Sequence, residues 1–207
     1  MAITKKHPAM KLTVGAQYIC FNEMDENNDW TDEFESDVVQ LPTVVDVTVT
    51  DNTDAYESYA SGDVYESDAP VTYVDIETTQ IAFPDALLAR MRGDTIDGGA
   101  VLGGGISQIR PYFAYGIVIE KKDGSLDLRW YPKCKLTENS DATATSTDSH
   151  SDQTDSTTIR AYGYDTDGNK VARALTGETG YEGITEAAFF AAPVLTIAAI
   201  KALIPSP

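Results

Sequence analysis

Residues 111–136 read PYFAYGIVIEKKDGSLDLRWYPKCKL, with apolar-alternating runs on both sides of Asp123-Gly124. The Asp-Gly dipeptide tolerates the positive φ angles of a type I′ turn, so the stretch predicts a β-hairpin with a two-residue loop. Side chains of a strand point alternately to opposite faces, which gives this hairpin one bulky face that must be buried. We predict that the hairpin lies in the core of a mainly β fold.

The two-residue loop also predicts the register of the hairpin. It pairs Ile119 with Leu128 and Ile117 with Trp130, and each bulky cross-strand pair adds roughly 0.2–1 kcal/mol beyond its burial. The side chains predicted to share the buried face are Phe113, Tyr115, Ile117, Ile119, Leu128 and Trp130.

Length and charge restrict the function of the chain. Its 207 residues are predicted to form a single domain, 1–207. Lys and Arg total 15 against 33 Asp and Glu, which gives a net charge of −18. Affinity for nucleic acid comes mainly from basic side chains at phosphates, so we predict that the chain does not bind DNA or RNA tightly.

Cys20 and Cys134 are the two cysteines of the chain, and both are predicted to be reduced, buried thiols. We expect synthesis and folding in the cytoplasm.

Two segments interrupt the strand-like pattern. Residues 22–37 are half acidic and carry Trp30 and Phe34 as isolated apolar side chains, and residues 137–158 contain no large apolar side chain. Such segments cannot bury enough apolar surface to offset a backbone entropy cost of about 1–2 kcal/mol per residue. We predict a flexible polar loop at 137–158. The acidic excursion at 22–37 is either a solvated loop or an arm that becomes ordered against a neighbouring subunit through Trp30 and Phe34.

Residues 43–50 and 71–81 alternate between a Val/Ile face and a polar face, which predicts two half-buried strands. The Val/Ile faces belong to the core. The opposite faces carry the acidic residues Asp46, Asp75 and Glu77.

One short helix is predicted between these strands and the hairpin. Pro84 is predicted at its first helical position and Gly93 at its end. Asp85 near the start and Arg90 and Arg92 near the end complement the helix dipole.

Two more strands are predicted at residues 159–164 and 171–175, joined by a turn at Asp167-Gly168. The DTDGN sequence at 165–169 resembles the opening of a calcium loop, but Thr176 occupies the position of the bidentate Glu. A hairpin turn is therefore predicted instead.

The C-terminal segment 185–207 is apolar, but Pro193 and Lys201 interrupt it, which argues against a membrane span. Thr185 is predicted to cap a short helix carrying Phe189 and Phe190. The role of this segment stays open.

Residues that could carry catalysis are scarce. His7 and His150 are the only histidines, and neither has a nucleophile and carboxylate at motif spacing. The glycine-rich residues 93–105 lack the Lys-Ser/Thr of a phosphate-binding loop. We therefore expect no enzymatic activity, no cofactor and no metal site.

The order of motifs across residues 55–170 resembles the phi13-type family of phage major tail proteins, the tail tube proteins of long-tailed phages and prophages. The motifs are YASGDVYE at 59–66, Phe83-Pro84 with Leu87, Leu88 and Gly93, PYFAYG at 111–116, and Arg129-Trp130 with Lys133. Residues 22–37, residues 137–158 and the C-terminus lie outside the matched pattern.

This resemblance implies a β-sandwich with one short flanking α-helix and long polar loops. It implies a virion protein, made and assembled in the host cytoplasm, whose hexameric rings stack into a tail tube. Its partners would be further copies of itself and other tail proteins, such as a tape measure and a tail terminator. DNA would pass through during ejection without specific binding.

An acidic channel would repel phosphate, which fits the charge of the chain. Asp46, Asp75 and Glu77 are therefore candidates for the lumen wall; the alternatives are that their face looks outward or is covered by the helix. Trp30 and Phe34 are candidates for an inter-ring contact. The rival interpretation is a secreted or virion-surface β-sandwich, an adhesin or a glycan- or calcium-binding module that uses its acidic loops.

Overall fold

The described part of the chain, residues 7–106, 108–141 and 153–205 of a computed structural model, consists mainly of β-strands with three short helices. The strands are β1 (Lys11–Asn22), β2 (Phe34–Leu41), β3 (Val44–Thr53), β4 (Tyr56–Ala60), β5 (Asp63–Asp68), β6 (Val71–Gln80), β7 (Thr95–Asp97), β8 (Ala100–Leu102), β9 (Phe113–Lys121), β10 (Leu126–Ser140), β11 (Asp155–Ala161) and β12 (Ala172–Leu175). The helices are α1 (Asp85–Arg92), α2 (Glu186–Phe189) and α3 (Ile197–Ala202). The predicted mainly β class is confirmed.

Eight strands form one antiparallel sheet in the order β2-β1-β9-β10-β11-β6-β3, with β12 also paired to β10. The sheet curls so that β1 contacts β3. Across the enclosed space, the side-chain amide of Gln17 donates a hydrogen bond to Gln80 Oε1 at 3.2 Å. Tyr115, on the neighbouring strand β9, donates its hydroxyl proton to Gln17 Oε1 at 2.9 Å. Both strand layers of the core therefore come from one folded-over sheet.

The register predicted for the central hairpin is wrong by one residue. Asp127 faces Ile119 and Leu128 faces Val118, so the loop has three residues, 122–124. Gly124 has φ of 80°, and its N–H donates to the Lys121 carbonyl oxygen at 2.9 Å. A turn that ends in one left-handed glycine satisfies the Asp-Gly dipeptide as well as a type I′ turn does, but it adds a residue to the loop.

This shift moves Leu128 and Trp130 to the face opposite Ile117 and Ile119, because side chains alternate with a period of two. Of the six residues predicted to share one buried face, five are fully buried and Ile119 is partly exposed. They lie in two different cores.

The two cores lie on opposite faces of the sheet. The inner core, enclosed by the curl, includes Ile19, Ile76, Phe113, Tyr115, Ile117 and Leu136. The outer core includes Tyr18, Leu128, Trp130, Phe189, Phe190 and Ile200. Strand β9, the second half of β1 and the first part of β10 are thus buried on both faces.

The outer core exists because the C-terminal segment covers it. The Thr185 hydroxyl caps α2 by accepting a hydrogen bond from the Ala188 N–H at 3.2 Å, as predicted. The Phe190 ring stacks on Tyr18 with 4.0 Å between centroids, and the Tyr18 hydroxyl donates to Glu186 Oε1 at 2.5 Å. Within residues 185–205, the segment whose role the sequence left open serves as the second wall of the core.

Helix α1 runs from Asp85 to Arg92, with Pro84 as its N-cap and not its first helical residue. Gly93 ends it with φ of 77°, and a Cβ at this position would collide with the Ile109 carbonyl oxygen. The left-handed conformation and the close contact together explain why the helix stops at a glycine. Met91 is fully buried in the inner core.

The turn at 165–169 is not a hairpin turn, contrary to the prediction. Strands β11 and β12 both pair with β10, at residues 134–140 and 127–130 respectively, and not with each other. Both strands lie along the same edge of β10, one after the other. Residues 162–171 therefore form a loop that connects two strands placed end to end.

The predicted polar segments are shorter than expected. Phe34 to Asp37 belongs to β2, which leaves residues 23–33 as the acidic loop. Residues 137–140 and 155–158 belong to strands β10 and β11. Residues 142–152, in the middle of the predicted flexible loop, lie outside the described residues.

Candidate assembly surfaces

The face of β3 and β6 that points away from the inner core is polar. Asp46 faces Thr79, Thr48 faces Glu77, and Thr50 faces Asp75. The three acidic residues predicted for the lumen therefore share one face of the sheet. Helix α1 packs in the inner core, on the other side, so it does not cover them.

Asp75 is paired with an arginine that sequence analysis did not single out. Arg160 of β11 donates from Nε to Asp75 Oδ1 at 2.7 Å and from Nη2 to Oδ2 at 3.2 Å. Asn52 adds a third hydrogen bond at 3.1 Å, and the Arg160 guanidinium lies 3.9 Å from the centroid of the Tyr73 ring. The hydrogen bond to Asp75 raises the pKa of Arg160. The sequence did contain a signal for this arginine. Arg160 stands between Ile159 and Ala161 in a predicted strand, and alternation therefore places it on the polar face.

Asp46 and Glu77 differ from Asp75 in this respect. Both are exposed, and neither forms an ion pair with another described residue. The acidic character of this face thus comes from these two carboxylates.

Several strand edges have no neighbour in the described sheet. Strand β3 pairs only with β6, β2 only with β1 and β12 only with β10, so each has one open edge. Strand β2 covers β1 only from Gln17 to Asn22, so the first half of β1 is open on that side as well. Open edges present unpaired backbone N–H and C=O groups, which bind strands from other chains. They are the part of the fold best suited to pairing with another copy.

A cavity of about 600 Å³ lies between the open half of β1 and β3. Its apolar wall includes Val14, Val47, Val49, Ile117 and Ile119. Arg129, Tyr131 and Arg173 belong to the polar part of its wall. The cavity is where the curled sheet fails to close.

A buried carboxylate holds the two arginines of that wall. Asp127 is 1% exposed and accepts from Nε and Nη2 of Arg129 at 3.1 and 2.7 Å, and from Nε and Nη2 of Arg173 at 2.6 and 2.5 Å. Burial raises the pKa of Asp127, but the hydrogen bonds from Arg173 and Arg129 outweigh it and hold the pKa below its ordinary value. This cluster joins β10 to β12, and no local sequence pattern indicated it.

Strands β4 and β5 form a separate two-stranded ribbon, which we call the β4–β5 arm (residues 56–68). Apart from Ser58, every residue of the two strands is exposed, including Tyr59 at 65% and Tyr65 at 78%. The arm contains four acidic residues and no Lys or Arg. Sequence analysis singled out this region only through the YASGDVYE motif at 59–66 and predicted no strands in it.

The rings of Trp30 and Phe34, predicted as an inter-ring contact, pack on their own chain. They meet edge to face at 6.5 Å, and Phe34 packs against the outer core. The Asn22 side chain ties down their loop through hydrogen bonds to the Thr31 and Glu33 carbonyl oxygens at 2.8 and 2.7 Å.

The described residues contain no group of three or more His, Cys, Asp or Glu side chains arranged to hold a metal ion. His7 is exposed, and His150 lies outside the described residues. Cys20 and Cys134 are buried free thiols, and burial raises the pKa of Cys20 to about 11. Within the same residues, no helix is both long and apolar enough to cross a membrane.

The solved structures to which this chain is similar include components of a prophage tube cap and of a contractile injection system. The cap that terminates the tube of the anti-feeding prophage aligns over 84% of this chain and 95% of its own, at 11% identity and a TM-score of 0.43. A chain of the sheath–tube complex of an extracellular contractile injection system, in its extended state, aligns over 77% of this chain and 88% of its own, at 11% identity and a TM-score of 0.41. These are weak likenesses.

No family model matches the chain, and no curated protein is similar to it. The resemblance to phi13-type major tail proteins therefore stays a prediction.

Proposed function

We propose that the protein is a non-enzymatic structural subunit of a phage-like tail, a tail tube protein of the phi13 type. Copies assemble into hexameric rings that stack into a tube, and the tube conducts DNA during ejection. The observation that carries the proposal is the set of open strand edges on the curled sheet, since such edges pair with strands of other copies.

The proposal accounts for the charge of the chain. A subunit with a net charge of −18 repels the phosphate backbone, so DNA can move past it without binding. The acidic face of β3 and β6 forms the lumen wall in this arrangement, with Asp46 and Glu77 as its uncompensated charges. Head-to-tail contacts that close by rotation give the rings, and contacts along the axis give the stack.

The first test is assembly. We expect the purified protein, when concentrated, to form rings or tubes visible by negative-stain electron microscopy, and a chelator to leave them unchanged. A protein that stays monomeric at every concentration and changes its circular dichroism spectrum on calcium addition would support the rival calcium-binding module.

The second test concerns the lumen. We expect Asp46→Lys combined with Glu77→Lys to leave tubes intact and to slow DNA release from assembled particles, more strongly as salt is lowered. Charges within a Debye length of DNA, about 8 Å at physiological salt, act on it measurably, whereas charges on the outer wall do not. Asp75 is left in place because it holds Arg160.

The matched control is Asp167→Lys with Glu178→Lys, which makes the same charge change at two exposed carboxylates away from this face. Equal release rates for both double variants at low salt would place the β3–β6 face outside the lumen.

A further inference from the structure

A cluster of basic and aromatic side chains lies beside the acidic loop, and we call it the Lys133 patch (Trp30, Arg110, Tyr112, Lys133 and Lys135). The Lys135 ammonium lies 3.9 Å from the centroid of the Tyr112 ring, and the Lys133 ammonium lies 5.5 Å from the same ring and 5.1 Å from that of Trp30. Two ammonium groups therefore share one tyrosine ring.

The cations of the patch lack acidic partners. Neither Lys133, Lys135 nor Arg110 forms an ion pair with any carboxylate in the described parts of the chain. Arg110 donates from Nη1 to the Leu136 and Thr137 carbonyl oxygens at 2.6 and 2.8 Å, and those acceptors leave its charge uncompensated. Acidic residues outnumber basic ones by 33 to 15 in this chain, so three neighbouring cations without a carboxylate need an explanation.

The Trp30 ring belongs to the patch because the Lys133 ammonium lies over it. Its indole N–H is covered by its own chain, so a docking partner would meet the ring and the ammonium groups and not this donor. A partner that brings carboxylate oxygens to the patch would compensate the charges of the cations.

We propose that the Lys133 patch binds the β4–β5 arm of a second copy of this chain. The arm is an exposed two-stranded ribbon, and such ribbons are at best marginally stable in water without a partner. It offers the complementary chemistry: Glu57, Asp63, Glu66 and Asp68 for the cations, and three exposed tyrosines for the aromatic rings. Complementary charge of this kind fixes the register of an interface and speeds association.

This inference rests on the proposed function, because it names two of the surfaces through which subunits meet. Nucleic acid is the other polyanion that the patch chemistry could attract. A chain carrying −18 overall repels nucleic acid at long range, whereas an arm of a few residues reaches the patch locally, so the arm is favoured.

Charge reversal and rescue in the full-length protein test the inference. The patch variant is Lys133→Glu with Lys135→Glu, at half-buried positions, and the arm variant is Glu57→Lys with Glu66→Lys, at exposed positions. By sedimentation velocity at low salt, each is expected to weaken self-association at least about tenfold, while the four changes combined restore it. The matched control, Lys122→Glu with Lys201→Glu, makes the same charge change as the patch variant and is expected to associate as wild type does.

Mixing the arm variant with the patch variant tests the pairing of the two surfaces directly. The arm variant keeps an intact patch and the patch variant keeps an intact arm, so an equimolar mixture is expected to form heterodimers even where each variant alone is monomeric. Thermal melting of every variant within a few degrees of wild type shows that the fold is intact.

Three results would overturn the inference, and they separate it from the proposed function. Patch and arm variants that assemble into tubes as wild type does would leave the proposed function standing and remove the docking surface. Wild-type protein that never self-associates would remove both. A patch variant that self-associates normally but loses retention on single-stranded DNA would assign the patch to nucleic acid.

Discussion

Trp130→Ala is expected to lower the free energy of unfolding by about 3–5 kcal/mol, the usual cost of deleting a large buried aromatic side chain. Trp130 is fully buried in the outer core, and its ring lies 5.2 Å from that of Phe190 and 6.5 Å from that of Tyr18. Its Nε1–H also donates to the Phe189 carbonyl oxygen at 3.0 Å. The residue thus joins the sheet to the C-terminal segment, and its loss should loosen both.

Urea unfolding measures the loss, and limited proteolysis within residues 185–205 measures the release of the C-terminal segment. Trp130→Phe keeps an aromatic ring and removes the hydrogen bond, so it is expected to cost less than alanine. Leu102→Ala, at a position that is 76% exposed, is the control and should change stability by no more than about 0.5 kcal/mol. If Trp130→Ala unfolds at the same urea concentration as wild type, the outer core does not contribute to stability.

Asp127→Ala is expected to cost about 3 kcal/mol at neutral pH, because it leaves Arg129 and Arg173 without their shared carboxylate. Arg129 is 14% exposed and keeps most of this penalty, whereas Arg173 is 44% exposed and regains hydration, which places the expected cost at the lower end for broken buried pairs.

The same group predicts a pH dependence. The folded-state pKa of Asp127 is lowered below the ordinary value of 3.8, so its contribution to stability is fully present above that value. The contribution is lost as the pH falls through the lower folded pKa, where the native carboxylate takes up its proton. Urea midpoints measured from pH 7 to pH 2 should therefore fall less steeply in Asp127→Asn than in wild type. The exposed control Asp97→Asn should follow wild type, and identical slopes for all three proteins would contradict the assignment.

Local signals in the sequence determined much of the secondary structure. Alternation placed strands at β3, β6, β9 and β10, and it put Asp46, Asp75 and Glu77 on one face. Gly93 and Thr185 marked helix ends because a left-handed glycine and a capping hydroxyl act on backbone groups a few residues away. Each of these signals is read within one turn or one strand.

The hairpin register is a feature that such local signals do not determine. Two loop types suit Asp123-Gly124, and they differ by one residue, so the dipeptide predicts the turn but not its length. The choice between them sends Trp130 either to the inner or to the outer core. It is settled by burial against Phe189 and Phe190, nearly sixty residues later in the chain.

The sequence by itself determined the mainly β class, the acidic surface and the positions of most strands. Only the tertiary structure decided that one sheet curls over itself, that β11 and β12 lie along the same edge of β10, and that Asp127 meets Arg173. The physical reason is the range of the forces involved. Strand alternation and helix capping act between near neighbours, whereas strand pairing, burial and ion pairing are decided by residues that are distant in sequence and meet only when the chain has folded.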